Sequence, residues 1–329
     1  MNDPASISIV VSTYERPGHL ANCLRSIQNQ AINACSCEVI VTDDGSQGPE
    51  TEACVAAFAQ QWPGRTIFLT QPKEGFRLAK CRNRAVVVST GQQLVFLDAD
   101  CIVPPHFLQA MTGGLKQGVV LASDCYRLSQ AATADIDNRA IDTWEIDPKI
   151  EVTERRRLTR KTFRARIYSL LSIPMRPRLT GCAFACHRDD LLKINGFDEN
   201  YIGWGFEDRD LQRRLAMKGV RARTVLHRVK AVHQWHATDT TFARNGIGTA
   251  NREYYHRAET SAYCVNGLDQ YRCEAIDRIT FPARRDWQVI ADIAQLQQQT
   301  SARPLVDLLL PTLPSDQAYS PVPILVHSL

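Results

Sequence analysis

Leu94-Val95-Phe96-Leu97-Asp98-Ala99-Asp100 is the stretch on which the fold turns. Its apolar run has the length and composition of a strand buried on both faces, and two carboxylates follow at its end. Strands of that kind belong to α/β sheets, where ligands bind beyond the carboxyl ends of the strands. The same design repeats towards the N-terminus. Ile7 to Ser12 reads as a strand, with Leu20, Cys23, Leu24 and Ile27 at helical spacing behind it. Val39 to Thr42 is a second strand, Cys54, Val55, Phe58 and Trp62 mark a second helix, and Thr66 to Leu69 is a third strand. Leu78 to Val88 is a helix that leads back to the opening stretch. The polar residues collect after the strands: Thr13-Tyr14-Glu15, Asp43-Asp44-Gly45-Ser46 and Asp98-Ala99-Asp100. The expectation is a Rossmann-like α/β fold, a mainly parallel sheet with helices on both faces.

Towards the C-terminus, Pro104-Pro105 opens a further helix, since proline is tolerated in a first turn. From about Arg127 to Arg178 the strand pattern stops, and a charged segment reads as a helical insertion or a mobile lid. Cys182 to Cys186 is another apolar run. A helix near Asp189 to Ile194, the loop Asn195-Gly196-Phe197-Asp198 and a helix from Glu207 to Lys218 follow. Pro304, Pro311, Pro314, Pro321 and Pro323 mark a peripheral tail after a last helix. Four parts are expected: a ligand-binding half over 1–126, a basic insertion or lid over 127–178, a second half of the same domain over 179–240, and a C-terminal extension with a Pro-rich tail over 241–329.

Composition bounds the class without naming it. A chain of 329 residues with 44% apolar and 22% charged residues can bury a full core. Its longest apolar runs fall far short of the roughly 20 residues that span a membrane. The start, MNDPASISIVVS, lacks a basic segment, an apolar stretch and a cleavage site, so the expectation is a cytoplasmic protein. Eleven cysteines without a Cys-x-x-Cys pair fit reduced thiols rather than a disulfide framework or a structural zinc site. The net charge of +4 is mild. The basic residues nevertheless crowd into Arg155-Arg156-Arg157, Arg160-Lys161, Arg164, Arg166, Arg176 and Arg178. A solvated helix face, an anionic acceptor, or peripheral contact with an anionic membrane at its inner face would each account for that segment. Nucleic acid is not expected, because no aromatic interleaving or binding motif accompanies the charge.

Two aspartates one residue apart at a strand end can share a site if the chain turns there, one binding a divalent cation and the other a sugar or ribose hydroxyl. Such a tripeptide is frequent at ordinary turns and caps. Its weight comes from its neighbours. Together SIVVSTYERPGHLANCLRSI (8–27), VIVTDDGS (39–46), GFRLAKCRNRA (75–85) and LVFLDADC (94–101) resemble the family-two glycosyltransferases of the GT-A fold. GCAFACHRDDLLKINGFDENYIGWGFEDRDLQRRL (181–215) resembles the acceptor-side half of β-1,4-galactosyltransferases and chondroitin-polymerase-type enzymes. The resemblance spans roughly residues 6 to 236 and leaves out the Arg-rich insertion and the tail.

Carried over, the resemblance implies an inverting, metal-dependent transfer of a hexose or N-acetylhexosamine from a UDP-sugar to a saccharide or glycolipid acceptor, in surface polysaccharide or glycan biosynthesis. Thr13, Tyr14 and Glu15 would line the uracil and ribose pocket, and Asp44 would accept from the uracil ring N–H. Phe76 and Lys80 fall where galactosyltransferases pack on the base or approach the phosphates. Arg77, Lys80, Arg82 and Arg84 cannot all face one ligand from a helix, so some are solvated. Asp98 would hold the donor and Asp100 the metal, with His233-Gln234-Trp235-His236 supplying imidazole. Residues three apart in a strand point to opposite faces, so both histidines serve one ion only if the chain turns. His236 is favoured, with His233 as the second candidate. A carboxylate and imidazole set favours Mn²⁺ over Mg²⁺. Asp208 is the expected general base beside Glu207, with Trp204 as a platform for the acceptor sugar. Blandly read, Glu207 and Asp208 are acids in a helix first turn, where the dipole favours them. Two rivals remain: a sugar-nucleotide nucleotidyltransferase, although Ser12 to Gly18 is no Gly-rich basic phosphate loop, and a non-catalytic carbohydrate-binding protein on the same fold.

Overall fold

The computed structural model describes residues 7–31, 36–237, 249–272 and 279–281. Four strands form the parallel centre of the sheet: β1 (Ile7–Thr13), β2 (Cys37–Asp43), β3 (Thr66–Leu69) and β4 (Gln93–Asp98). Between them run α1 (Pro17–Gln28), α2 (Glu50–Ala59) and α3 (Leu78–Val88). After β4 come β5 (Cys101–Ile102), α4 (Phe107–Thr112), β6 (Val119–Ala122) and β7 (Cys125–Arg127). The helices α5 (Gln130–Ala134), α6 (Asn138–Asp142) and the long α7 (Val152–Leu170) occupy the segment expected as an insertion. The chain continues through β8 (Ala183–His187), α8 (Arg188–Leu192), α9 (Glu207–Met217), β9 (Arg221–Thr224), β10 (Ala231–His233), α10 (Thr249–Tyr255) and β11 (Ile279–Phe281). The last helix and Pro-rich tail expected beyond Arg278 lie outside the described residues.

The large sheet has the order β11-β3-β2-β1-β4-β8-β6-β9, and β5-β10-β7 forms a small second sheet. Only β8 and β11 run against the others in the large sheet, so it is mixed and mainly parallel. Alternating residues of one strand feed two cores, as a sheet covered on both faces requires. Ile9, Val11, Val95 and Leu97 pack with α1 and α2, whereas Val10, Leu94 and Phe96 pack with α3 and α9. In the second core Phe96 stacks on Phe184 at 4.6 Å, and Phe197 meets Phe96 edge-on at 5.5 Å.

Two local expectations change. Pro104 and Pro105 lie in a turn before α4 rather than in its first turn; their carbonyls accept from Gln30 and Ala31, which ties them to the end of α1. The segment Arg221-Ala222-Arg223-Thr224, unread as a strand, pairs in parallel with β6 as the sheet edge. Edge strands carry solvated polar side chains and so hide their pattern. The described cysteines are free thiols. No helix among the described residues is long and apolar enough to cross a membrane.

Candidate active site

The loops after β1, β2, β3 and β4 meet at one edge of the sheet. Asp44 sits at the centre of the β2 loop. Its Oδ1 accepts from Gln71 Nε2 at 2.7 Å, and its Oδ2 accepts from Lys73 Nζ at 2.9 Å and Arg77 N at 3.0 Å. The Lys73 ammonium also lies 3.3 Å from the Tyr14 ring centroid, so one cation joins the β1 and β2 loops. Asp43 is used structurally, accepting from Ser46 N at 2.8 Å and Thr70 Oγ1 at 2.9 Å. Glu15, in a left-handed backbone conformation, accepts from Gln47 N at 2.6 Å and braces the same two loops. Thr13 Oγ1 is buried without a hydrogen-bond partner among the described residues. Phe76 and Lys80 stand half-buried beside this wall, and the Phe76 carbonyl accepts from Gly203 N at 2.9 Å.

Beyond β4, Asp98 meets Arg82, whose position on the buried side of α3 leaves its side chain no solvent exposure. Arg82 Nη2 donates to Asp98 Oδ1 at 2.9 Å and to the Gly181 carbonyl at 2.8 Å, while its Nε and Nη1 have no partner among the described residues. Burial pushes the Asp98 carboxyl up to about 8, Arg82 opposing and the Asp100 charge adding to the rise. Sequence reasoning left Arg82 among four cations of one segment and did not single out Lys73. The spacing of Arg82 with Ala79, Ala85 and Val86 on the apolar face of α3 is the signal that distinguishes it.

Asp100 stands between two imidazoles. Its Oδ1 lies 3.4 Å from His233 Nε2 and its Oδ2 3.1 Å from His236 Nε2. The approach is built by β5, which pairs antiparallel with β10 so that Cys101 faces His233. β10 ends at His233, and Gln234 N donates to the Asp100 carbonyl at 2.8 Å. Gln234 points inward, accepting from Asn22 Nδ2 at 2.7 Å, and His236 returns to the carboxylate. Burial alone would raise Asp100, but His236 and His233 hold it below the usual carboxylate range. The hydrogen bond to Asp100 raises His236 in turn. One carboxylate and two imidazoles converging within 4.8 Å form a donor set that fits a divalent transition-metal ion.

The opposite wall is the N-terminus of α9. Gly203, Gly205 and Phe206 all have positive φ, at 84°, 96° and 75°. For Phe206 that region is strained, which a packed loop at a functional site can hold. The turn exposes Trp204 and delivers Glu207 and Asp208 to the first turn of the helix. Burial and the Asp208 charge push Glu207 up to about 7. Asp208 is also raised by burial, with Arg82 opposing. Asp210, one turn further on, points inward to Arg214 at 2.6 Å and Arg213 at 2.8 Å and is paired away from the site.

The mixed, mainly parallel sheet thus gathers carboxylates and imidazoles past its strand ends. The chain belongs to Glycosyl transferase family 2, whose profile matches residues 8–172, and residues 173–237 match the profile described as N-terminal domain of galactosyltransferase. Validoxylamine A glucosyltransferase of Streptomyces hygroscopicus subsp. jinggangensis is 25% identical over 234 residues, 65% of this chain and 52% of that protein. Hyaluronan synthase of Pasteurella multocida is 26% identical over 252 residues, 69% of this chain and 24% of that protein. The chain thus spans about half or less of these relatives' lengths. Among solved structures, mannosyltransferase PcManGT from Pyrobaculum calidifontis in complex with GDP-Man and Mn²⁺ has a TM-score of 0.50 at 16% identity, covering 94% of this chain and 80% of that one. S. aureus TarS 1-349 in complex with UDP-GlcNAc also gives 0.50, at 17% identity, covering 72% of this chain and 60% of that one. Both show the shared fold.

Proposed function

We propose that the protein transfers a hexose or N-acetylhexosamine from a UDP-sugar to a saccharide or glycolipid acceptor with inversion at the anomeric carbon. One juxtaposition carries the reading: Asp100 bracketed by His233 and His236 at one wall, and Asp208 at the first turn of α9 on the other, joined through Asp98 and the buried Arg82. The sugar-nucleotide complexes of the two solved structures support the donor class.

Tyr14, Glu15, Thr13, Asp44 and Phe76 form the nucleotide wall, with Lys73 and Lys80 as nearby cations. Asp98 binds a donor hydroxyl, and Arg82 fixes its orientation. Asp100, His236 and His233 hold the divalent metal, Mn²⁺ rather than Mg²⁺ because two of the three donors are imidazole. When bound, that ion neutralises charge on the departing diphosphate. Trp204 supports the acceptor ring. Asp208 takes the proton from the acceptor hydroxyl as its oxygen bonds to the anomeric carbon and the bond to UDP breaks. A single positioned base on the acceptor side supports direct displacement, and with it inversion. Peripheral contact of the 155–178 segment with an anionic membrane at its inner face is part of this reading, and suits a lipid-linked acceptor.

The test is incubation with a panel of nucleotide-sugars, Mn²⁺ and saccharide acceptors. Acceptor-dependent release of UDP supports the transferase. Pyrophosphate chemistry would establish the nucleotidyltransferase, and donor binding without turnover on any acceptor a non-catalytic role.

A further inference from the structure

α7 is amphipathic in the wrong sense for a helix that only covers a domain. Leu158 and Ala165 face inward. On the opposite side Phe163, Ile167, Leu170 and Leu171 are 68%, 39%, 83% and 64% exposed. Their spacing places them in one row along the helix. Solvent-facing apolar rows of this kind mark a surface that meets something.

The charges beside that row are of one sign. Arg156, Arg160, Arg164 and Arg166 are exposed on α7 and form no ion pair among the described residues. The inward cations of the same helix behave differently: Arg157 pairs with Glu154 at 2.8 Å, Lys161 reaches Asp124, and Arg155 lies over the Tyr126 ring. The outward arginines are therefore not consumed by the fold. Arg156 and Arg160 continue the row towards the helix N-terminus while Arg164 and Arg166 flank it, so the apolar C-terminal end of the helix suits acyl chains and the cations suit anionic headgroups at a membrane interface. A soluble polyanion would use the arginines but leave Phe163, Leu170 and Leu171 in water.

We infer that the outward face of α7 docks on an anionic phospholipid surface, through Phe163, Ile167, Leu170 and Leu171 with Arg156, Arg160, Arg164 and Arg166 around them. The site lies close by along the chain. Residues 172–180 run from the end of α7 to Gly181, whose carbonyl accepts from Arg82. Thr224 N, on the edge strand, donates to Ser169 Oγ at 2.9 Å and fastens the helix to the sheet. This docking deepens the peripheral membrane contact proposed above and rests on that part of the reading, though on no step of the sugar transfer.

The experiment is co-sedimentation of the full chain with vesicles of phosphatidylcholine containing phosphatidylglycerol, against vesicles of phosphatidylcholine alone. Preferential binding to the anionic vesicles is expected. F163S/L170S/L171S and, separately, R156E/R160E/R164E should each lower partitioning by about tenfold or more. Unchanged melting temperature and UDP binding in Mn²⁺ establish that these variants fold. Equal binding to neutral vesicles, no binding to either, or unchanged partitioning of the apolar variant would overturn the proposal. So would a lipid-free dimer that the same apolar variant converts to monomer, which assigns the face to a second copy. No readout involves sugar transfer, so failure here is separable from failure of the proposed activity.

Discussion

The guanidinium of Arg82 lies 2.9 Å from Asp98 Oδ1 while being wholly removed from solvent itself. Its charge also opposes the rise of Glu207 and Asp208, so a single buried cation stands behind three carboxylates contributed by β4 and α9.

Replacing Arg82 with Met removes that cation and leaves the carboxylates to neutralise themselves by protonation. Breaking a fully buried pair costs about 3–5 kcal/mol, and the 28% exposure of the Asp98 side chain together with its protonation brings the expected loss below that. Denaturant unfolding of R82M measures it, and wild-type stability would show that the carboxylates do not depend on Arg82.

Asp208→Asn keeps the shape of the α9 turn but removes the base. Turnover should fall by about 10²–10⁴ with UDP binding in Mn²⁺ unchanged. Transfer near the wild-type rate places the base elsewhere.

The Glu207–Asp208 pair titrates as a unit, and Glu207 is pushed up to about 7. A base works deprotonated, so kcat/KM should rise with pH through that region. Glu207→Gln removes the like charge and should move the limb to lower pH. A limb that stays in place assigns it to another group.

Asp100→Ala should abolish metal-dependent UDP binding. His233→Ala and His236→Ala should each weaken Mn²⁺ affinity by more than the roughly tenfold that losing an outer partner of a metal site costs. Calorimetric titration with Mn²⁺ in the presence of UDP reads all three. Wild-type affinity in either histidine variant removes that imidazole from the proposed set.

Trp204 is 44% exposed on a turn held by Gly203 and Gly205. Trp204→Ala should raise the KM for acceptor by about tenfold and leave that for donor unchanged, because stacking on the acceptor ring is what it removes. An effect confined to the donor would place the ring on the nucleotide side.

The sequence by itself was enough for the strands that matter most. β1, β2, β3 and β4 are buried on both faces, and a strand in that position has to be a continuous apolar run. The carboxylates at their ends could be named for the same reason, and the matching motifs supplied the family. Residues whose meaning depends on distant partners were not legible. Arg82 is one of four cations in a short segment until α3 packs and buries it. The exposed row of α7 was hidden because its arginines dominate the composition and its inner face was unknown. His233 and His236, read along a strand, point apart; the pairing of β5 with β10, which ends at His233 and leaves the following residues irregular, brings both to Asp100. Local pattern reports whether a side chain is to be buried, a matter of transfer from water. Which side chains then meet is decided by strand pairing across more than a hundred residues, and only the assembled sheet contains that information.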